Sequence, residues 1–275
     1  MGILNVTPDS FSGDGAYHDV GCAVERAAAL LSEGADIIDI GGESTRPGAN
    51  PVPVEEELQR VLPVIRAVKE QLSVQVSIDT SKPEVMEAAV SAGASMVNDV
   101  YALRRPGALE MAVRLNVPVC LMHMQGTPPN MQTAPAYTDV VREVSHFLSS
   151  RVRAGEAAGI ARRHLMVDPG FGFGKTFQHN VQLLRGLSGL AAVGTPIVVG
   201  VSRKAFVRRL ASVEQEDDDQ TAQVSAGLAL YAVSQGAAVL RVHDVALTRN
   251  LVRTWEAMAS QPLDNGNAQL YEGLC

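Results

Sequence analysis

Short apolar and β-branched runs alternate along the chain with longer stretches in which apolar residues recur at helical spacing. The runs at 2–6, 36–40, 74–78, 95–99, 117–123, 165–169, 196–202 and 238–243 predict strands. Several are apolar at nearly every position, as strands buried on both faces of a parallel sheet must be. The clearest helix spans 54–72. Val54, Leu58, Val61, Leu62, Ile65, Val68 and Leu72 make one stripe, with Glu55, Glu56, Gln59, Arg60 and Lys69 opposite. Pro63 stands inside that helix and is expected to kink it. Strands each followed by a helical stretch, with no second composition regime, predict an α/β fold, a single (β/α)8 TIM barrel over 1–261. On the pattern alone a doubly wound open sheet is the competing arrangement. No fixed-period repeat interrupts the alternation. The acidic run 214–219 reads as a solvated loop before the next helix. The polar, glycine-containing segment 262–275 reads as an extended tail.

Composition narrows the function classes. Hydrophobic residues make up 46% of the chain and charged residues 19%, which excludes intrinsic disorder. Aromatics are only 4%, so the core has to be aliphatic. A net charge of −7 gives no general attraction to nucleic acid or to an anionic membrane, so neither is expected as a partner. An anionic substrate would need a local basic cluster. Cys22, Cys120 and Cys275 are widely spaced and odd in number, which favours a reducing cytoplasm over a disulfide framework. The N-terminus has no basic region ahead of its apolar part, so no signal peptide is expected. The uncharged stretch 186–202 contains Pro196 and falls short of the about 20 apolar residues a membrane span needs.

The ends of the strands carry the chemistry. Asn5, Asp39, Asp79, Asn98 with Asp99, His123, Asp168, Ser202 with Arg203 and Lys204, and Arg241 with His243 follow the successive apolar runs. One such residue could be a helix cap, but the C-terminal ends of barrel strands share a face, and a polar group at every end predicts a common site there. Three glycine-rich segments sit on the same ends: 5–15, 41–48 and 168–176. The first has the makeup of a mobile loop, and the glycines of the last permit positive φ and close backbone approach. GFGFGK lacks the spacing of a phosphate loop, and neither GxGxxG nor a G-x-S-x-G serine setting occurs. Arg46, Lys204, Arg241 and His243 can hold a diphosphate, while Asp79, Asn98 and Asp168 can read a donor-rich heterocycle edge. Zinc ligation is unsupported by any close His pair. Mg2+ held by one or two side-chain oxygens plus phosphate and water suits these residues better. Among the histidines, His243 is the candidate for chemistry, and His123 suits a core or rim position as well as a functional one.

These segments resemble the dihydropteroate synthase family. The resemblance rests on NVTPDSF (5–11), DIGGESTRPG (39–48), SIDTSKP (77–83), GASMVNDV (93–100), DPGFGFGK (168–175), GVSRKAF (200–206) and RVHDV (241–245), in order and over nearly the whole chain. It implies a transferase of folate biosynthesis, the sulfonamide target, that joins 6-hydroxymethyl-7,8-dihydropterin diphosphate to p-aminobenzoate and releases diphosphate. It also implies roles. Asp79, Asn98, Met122, Asp168 and Lys204 would bind the pterin, and Asn5, Arg46, Arg241 and His243 the diphosphate. Asn5 would be the protein's ligand to Mg2+. Phe11, Thr45, Arg46, Pro47, Phe173, Ser202 and Lys204 would surround the aminobenzoate. Asp79, Lys204, Arg241 and His243 would be catalytic, and the protein a homodimer. Family members usually carry a segment ahead of the first strand, whereas here Met1 stands directly on it. A methyltetrahydrofolate–corrinoid methyltransferase shares the pterin-reading acids but has no need of STRPG, SRK or RVH. A catalytically silent pterin-binding paralogue would have lost some of these residues, and none is missing.

Overall fold

A computed structural model of the protein describes residues 1–7, 20–46, 48–212 and 218–260. Phe11, Pro47, acidic positions 214–217 and the segment 262–275 lie outside the described residues. Every strand predicted from the pattern is present: β1 Gly2–Asn5, β2 Ile37–Gly41, β3 Gln75–Asp79, β4 Met96–Asp99, β5 Val119–Met122, β6 Leu165–Asp168, β7 Val198–Val199 and β8 Val239–Leu240. β1 to β6 form one parallel sheet in chain order, and β7 pairs in parallel with β8. Isolated parallel bridges, Val167 to Ile197 and Gly2 to Val242, join the two sheets on both sides. The Ile3 amide donates to Val242 O and the Val167 amide to Pro196 O, both at 3.0 Å. The strands therefore close into a ring, and the open-sheet alternative falls.

β7 and β8 are shorter than their apolar runs. Past Val199 the chain leaves the ladder at Gly200 and turns through Arg203, whose φ is +56°, so the polar end of the β7 run belongs to the site and not to the sheet.

The helices are α1 Val20–Ser32, α2 Val54–Gln71, α3 Pro83–Ser91, α4 Ala108–Leu115, α5 Val140–Ala158, α6 Phe177–Arg185, α7 Ala205–Leu210, α8 Asp218–Ser234 and α9 Val245–Ser260. α2 is assigned as one uninterrupted helix through Pro63. Asp218 and Asp219 open α8, where acidic side chains complement the helix dipole. None of the helices among the described residues is long and apolar enough to cross a membrane.

Alternation along each strand sorts residues to the two sides of the ring. Ile38, Ile40, Val76, Ile78, Val97, Leu121 and Val167 point outward, and pack in one buried cluster with Leu30, Val61, Ile65, Val68, Met86 and Leu148 of the helices. Inside, Met96, Cys120 and Val198 form a second apolar cluster with Met1, Ile37, Met166 and Val239. Cys120 is thus a core residue. One or two positions further along the strands the interior changes character, to Asp39, Asp79, Asn98, Asp168 and Arg241. The floor is sealed by aliphatic and sulfur-bearing side chains, and the opposite mouth is polar.

Candidate active site

The centre of the mouth is an arginine held by two carboxylates. Arg241 donates through Nε to Asp39 Oδ2 and through Nη2 to Asp79 Oδ2, each at 2.6 Å. Asn98 Nδ2 donates to the same Asp39 oxygen at 3.3 Å. Asp39 is fully buried, so Arg241 and Asn98 are oriented from beneath. Burial pushes the Asp79 carboxyl up to about 7, Arg241 pulls against that shift, and the neighbouring Asp39 charge adds to it. The guanidinium loses solvation here too, and Asp39 and Asp79 more than restore its charge.

Asp168 and Lys204 face the same space. A Cβ built on Gly200 would lie 3.8 Å from Asp168 Oδ2, 3.9 Å from Arg241 Cβ and 4.0 Å from Lys204 Nζ. Gly200 therefore lies where the Asp168 acceptor and the Lys204 ammonium approach each other beside the root of the Arg241 side chain. Burial raises the Asp168 carboxyl, with Lys204 and the Gly170 amide opposing. Burial lowers Lys204 to about 8, with Asp168 holding it up.

The loop after β6 fixes both groups. Gly170, Gly172 and Gly174 have φ of +67°, +80° and +60°. A Cβ at Gly170 would stand 1.9 Å from His123 O, and one at Gly174 2.3 Å from Gln125 O. Such a backbone has no repeating hydrogen bonds of its own, so side chains must satisfy it. Lys175 Nζ donates to Gly170 O at 2.9 Å and Phe173 O at 3.0 Å. Lys204 Nζ donates to Phe171 O. Gln132 Nε2 donates to Gly172 O, Tyr137 Oη to Gly174 O, and Asn180 Nδ2 to Lys175 O. All six carbonyls from 170 to 175 thus receive a side-chain donor. The Gly170 amide donates to Asp168 Oδ1 at 2.7 Å, and Lys204 Nζ lies 4.7 Å above the Phe173 ring. Met122, paired in register with Asp168, joins Val100, Met124 and Met131 in a small apolar cluster that Tyr101 and Phe173 complete.

A second clasp ties the ends of β7 and β8. Ser202 Oγ lies 3.0 Å from His243 Nδ1 and accepts from the His243 amide at 3.2 Å. Arg203 donates from two nitrogens to the Asp244 carboxylate, and its amide donates to Ser225 Oγ. Burial, reinforced by Arg241 and Arg203, lowers His243 to about 4, so the imidazole is neutral near pH 7 in the ligand-free protein.

The loop after β2 is gripped by side chains at its root. Arg60 Nη1 donates to Gly42 O at 2.7 Å, and Lys82 bridges Glu43 to the fully buried Glu57. Beyond that Thr45 is half-buried and Arg46 exposed. The Arg46 charge still reaches His243, whose protonation it opposes. Asn5, the last residue of β1, pairs in register with Gly41, and Gly41 with Asp79, which sets Asn5 on the same rim.

The mouth thus gathers Asn5, Asp79, Asn98, Met122, Asp168, Phe173, Ser202, Lys204, Arg241 and His243. Thr45 and Arg46 lie on the neighbouring loop after β2. Sequence reasoning noted Asp39 only as a strand-ending acid and gave it no role, although its position in the DIGGESTRPG segment offered the signal. It also passed over Lys175 and Glu57. Lys175 is the last residue of a motif tested only against phosphate loops. Glu57 was invisible, because nothing in a helical pattern marks a buried acid whose partner, Lys82, stands ahead of the next helix.

A family model described as pterin binding enzyme matches residues 1–243. The chain belongs to that family. It is 48% identical over 260 residues to the dihydropteroate synthase of Escherichia coli (strain K12), covering 94% of this chain and 91% of that one. Among solved structures, the Xanthomonas albilineans dihydropteroate synthase with 4-aminobenzoic acid superposes with a TM-score of 0.90 at 52% identity, over 95% of this chain and 93% of the other. The Yersinia pestis dihydropteroate synthase with a sulfonamide drug gives a TM-score of 0.90 at 47% identity, over 95% and 94%. Identity at this level over this span places the chain among the dihydropteroate synthases.

Proposed function

We propose that the protein condenses 6-hydroxymethyl-7,8-dihydropterin diphosphate with p-aminobenzoate, giving 7,8-dihydropteroate and diphosphate. The observation that carries this reading is the approach of the Asp168 carboxylate and the Lys204 ammonium beside Gly200, next to the Arg241 side chain whose guanidinium Asp39 and Asp79 hold. Together they offer acceptors for the ring N–H and amino groups and donors for the ring carbonyl and nitrogen. Asp79 and Asn98 complete the pterin edge, and Met122 supplies an apolar wall. On the other side Arg241, His243 and Arg46 suit the diphosphate. Phe173, Ser202, Lys204, Thr45 and Arg46, with Phe11 and Pro47, suit the arylamine.

The reaction breaks the bond between the pterin methylene carbon and the diphosphate oxygen, whose electron pair leaves with diphosphate. The aniline nitrogen supplies the pair for the new C–N bond and then loses a proton to the departing diphosphate or to water. Arg241 and Arg46 stabilise charge on the leaving oxygen, and a neutral His243 donates to it a hydrogen bond. Ionised Asp79 and Asp168 stabilise the electron-poor methylene. The arylamine needs positioning more than deprotonation, so no general base is required. Among the described residues no group of three or more His, Cys, Asp or Glu could hold a metal by itself. A single amide oxygen from Asn5 at the rim fits Mg2+ carried chiefly by the substrate's phosphate oxygens and water. Bound there, Mg2+ would neutralise phosphate charge. A corrinoid methyltransferase would have no use for the anion-binding half. The homodimer implied by the resemblance belongs to the same proposal, with light scattering as its test.

A coupled assay for diphosphate release, with both substrates and Mg2+, tests the function. Release dependent on p-aminobenzoate is the expected result. Release independent of any arylamine, or none at all, would overturn it.

A further inference from the structure

Lys175 has no part in the chemistry above, yet it is 3% exposed at the heart of the loop after β6. Its Nζ meets three acceptors and no donor: Gly170 O at 2.9 Å, Phe173 O at 3.0 Å and His123 Nδ1 at 2.9 Å. An ammonium has three N–H donors and no lone pair, so this shell satisfies it completely when His123 accepts through Nδ1 and carries its proton on Nε2; burial pushes Lys175 well below the usual lysine range, and the Asp168 charge opposes that shift. His123 is kept in that neutral form by burial and by the adjacent Lys175 charge, which lower it to about 2. The ring is wedged edge-on against Phe147 at 4.9 Å, so the acceptor has little freedom to turn away.

The two carbonyls that Lys175 holds flank the residues that touch substrate. Gly170 donates its amide to Asp168 Oδ1, Phe171 O receives Lys204 Nζ, and the Phe173 ring lies under that same ammonium. We infer that Lys175, seated on His123, is a positioning residue that pins the 170–173 segment from inside so that Asp168 and Lys204 are aimed at one pterin. The inference rests on the pterin reading of the site. The alternative is a purely structural lysine that keeps the barrel folded and has no bearing on substrate affinity.

Lys175→Met keeps the length and the apolar stem and removes the three donors. The expected result is a folded protein whose Michaelis constant for the pterin diphosphate rises about tenfold or more, with a smaller fall in kcat, because mispaired carbonyls let the aimed groups drift. A structural lysine would instead lower the active fraction, and so kcat, at unchanged Michaelis constants. A double-mutant cycle with Lys204→Met sharpens the test: the two losses should be strongly non-additive, since Lys204 depends on the Phe171 carbonyl that Lys175 helps to place. Unchanged Michaelis constants in a folded Lys175→Met protein, or additive losses, would overturn the inference. If Lys175→Met does not fold, His123→Leu decides: it leaves the ammonium with two acceptors and should raise the same constant less steeply, and no rise would overturn the inference. Wild-type turnover tests the function itself; only the ratio of variant to wild type tests the role of Lys175.

Discussion

The glycine-rich loops after β6 and β2 both rest against the loop after β5, and they are held in opposite ways. After β6, Gly172 O takes the amide of Gln132, and each carbonyl from 170 to 175 is occupied by a side-chain donor. After β2, the Gly48 amide donates to Pro128 O at 3.3 Å, but Arg60 and Lys82 grip only the root at Gly42 and Glu43. The first loop holds Asp168 and Lys204, assigned to the pterin, through the Gly170 amide and the Phe171 carbonyl, and the second carries Thr45 and Arg46, assigned to the arylamine and diphosphate. The pterin half is therefore built before any ligand arrives. If the other half takes its remaining contacts from the substrates, an ordered reaction follows.

Glycine substitutions break this contrast most sharply. Gly170→Ala would drive a Cβ to 1.9 Å from a backbone carbonyl, where nothing flexible can give way. Gly48 also has a left-handed φ of +80°, but its Cβ would meet nothing within 4 Å. Gly48→Ala should cost only the about 1–2 kcal/mol of left-handed strain. Gly170→Ala should lose more than about 3 kcal/mol and the activity with it. Thermal melting of the two proteins side by side checks the difference, and equal melting temperatures would refute it.

Asp168→Asn comes next. It keeps the shape but turns an acceptor-only carboxylate into an amide that must set a donor against a donor. A mispaired buried group costs about 1–3 kcal/mol, and more where charge is involved, so pterin-diphosphate affinity should fall by about a hundredfold in a folded protein. Calorimetry showing unchanged affinity would remove Asp168 from the site.

How much of this was legible in the sequence follows from how local each signal is. Strand periodicity is local, so all eight strands could be read from apolar runs, while on the pattern alone an open sheet still competed with the ring. The strand-end polar residues share a face by topology, so Asp79, Asn98, Asp168, Lys204 and Arg241 could be assembled before any coordinates. The positive φ expected of the 168–176 glycines is observed at Gly170, Gly172 and Gly174. Pairings across the ring could not be read. The Asp39–Arg241 contact spans 202 positions in sequence, and Lys82 reaches Glu57 from another unit. These bonds exist only once the ring has closed. Chain ends of β7 and β8 were overestimated for a related reason: Gly200 and the left-handed Arg203 are exit signals that an apolar run does not reveal.

The ordering itself is the third test. If the loop after β2 takes its contacts from bound ligand, p-aminobenzoate should bind the free protein weakly. Adding Mg2+ and diphosphate to the pterin-loaded protein should then raise its affinity by about tenfold or more. Equal affinity with and without diphosphate would show that the two loops do not differ in the way proposed.

The acid–base behaviour of the prebuilt half gives a smaller effect. Asp79 is useful when ionised and sits near 7, so kcat/KM for the pterin diphosphate should climb as pH rises to about 7. Lys204 is useful when protonated and sits near 8, so the same quantity should fall above about 8. The expected profile is a narrow bell, since kcat/KM reports the free enzyme. Lys204→Arg should remove the alkaline limb and leave the acid limb in place. An alkaline limb that persists in that variant belongs to another group.

Sulfonamides probe the loosely held half with the finest discrimination. Such a drug shares the aniline of p-aminobenzoate and is bulkier where the carboxylate would be. The pterin side cannot tell the two apart, because it meets only the common end. Discrimination has to come from a side chain placed against the extra volume, beyond the substrate's own envelope. Thr45 is half-buried and Arg46 exposed. Phe11 and Pro47 keep the residue types usual in the family. By residue type these positions match the family's usual pattern, so the protein should be sulfonamide-sensitive, with inhibition competitive against p-aminobenzoate and an inhibition constant within about tenfold of its Michaelis constant, a margin of about 1.4 kcal/mol. Steady-state inhibition by sulfamethoxazole at several p-aminobenzoate concentrations checks this. Undiminished turnover at drug concentrations far above that Michaelis constant would mean that the loop after β2 already holds a shape selective against the drug, and would remove the contrast with the loop after β6.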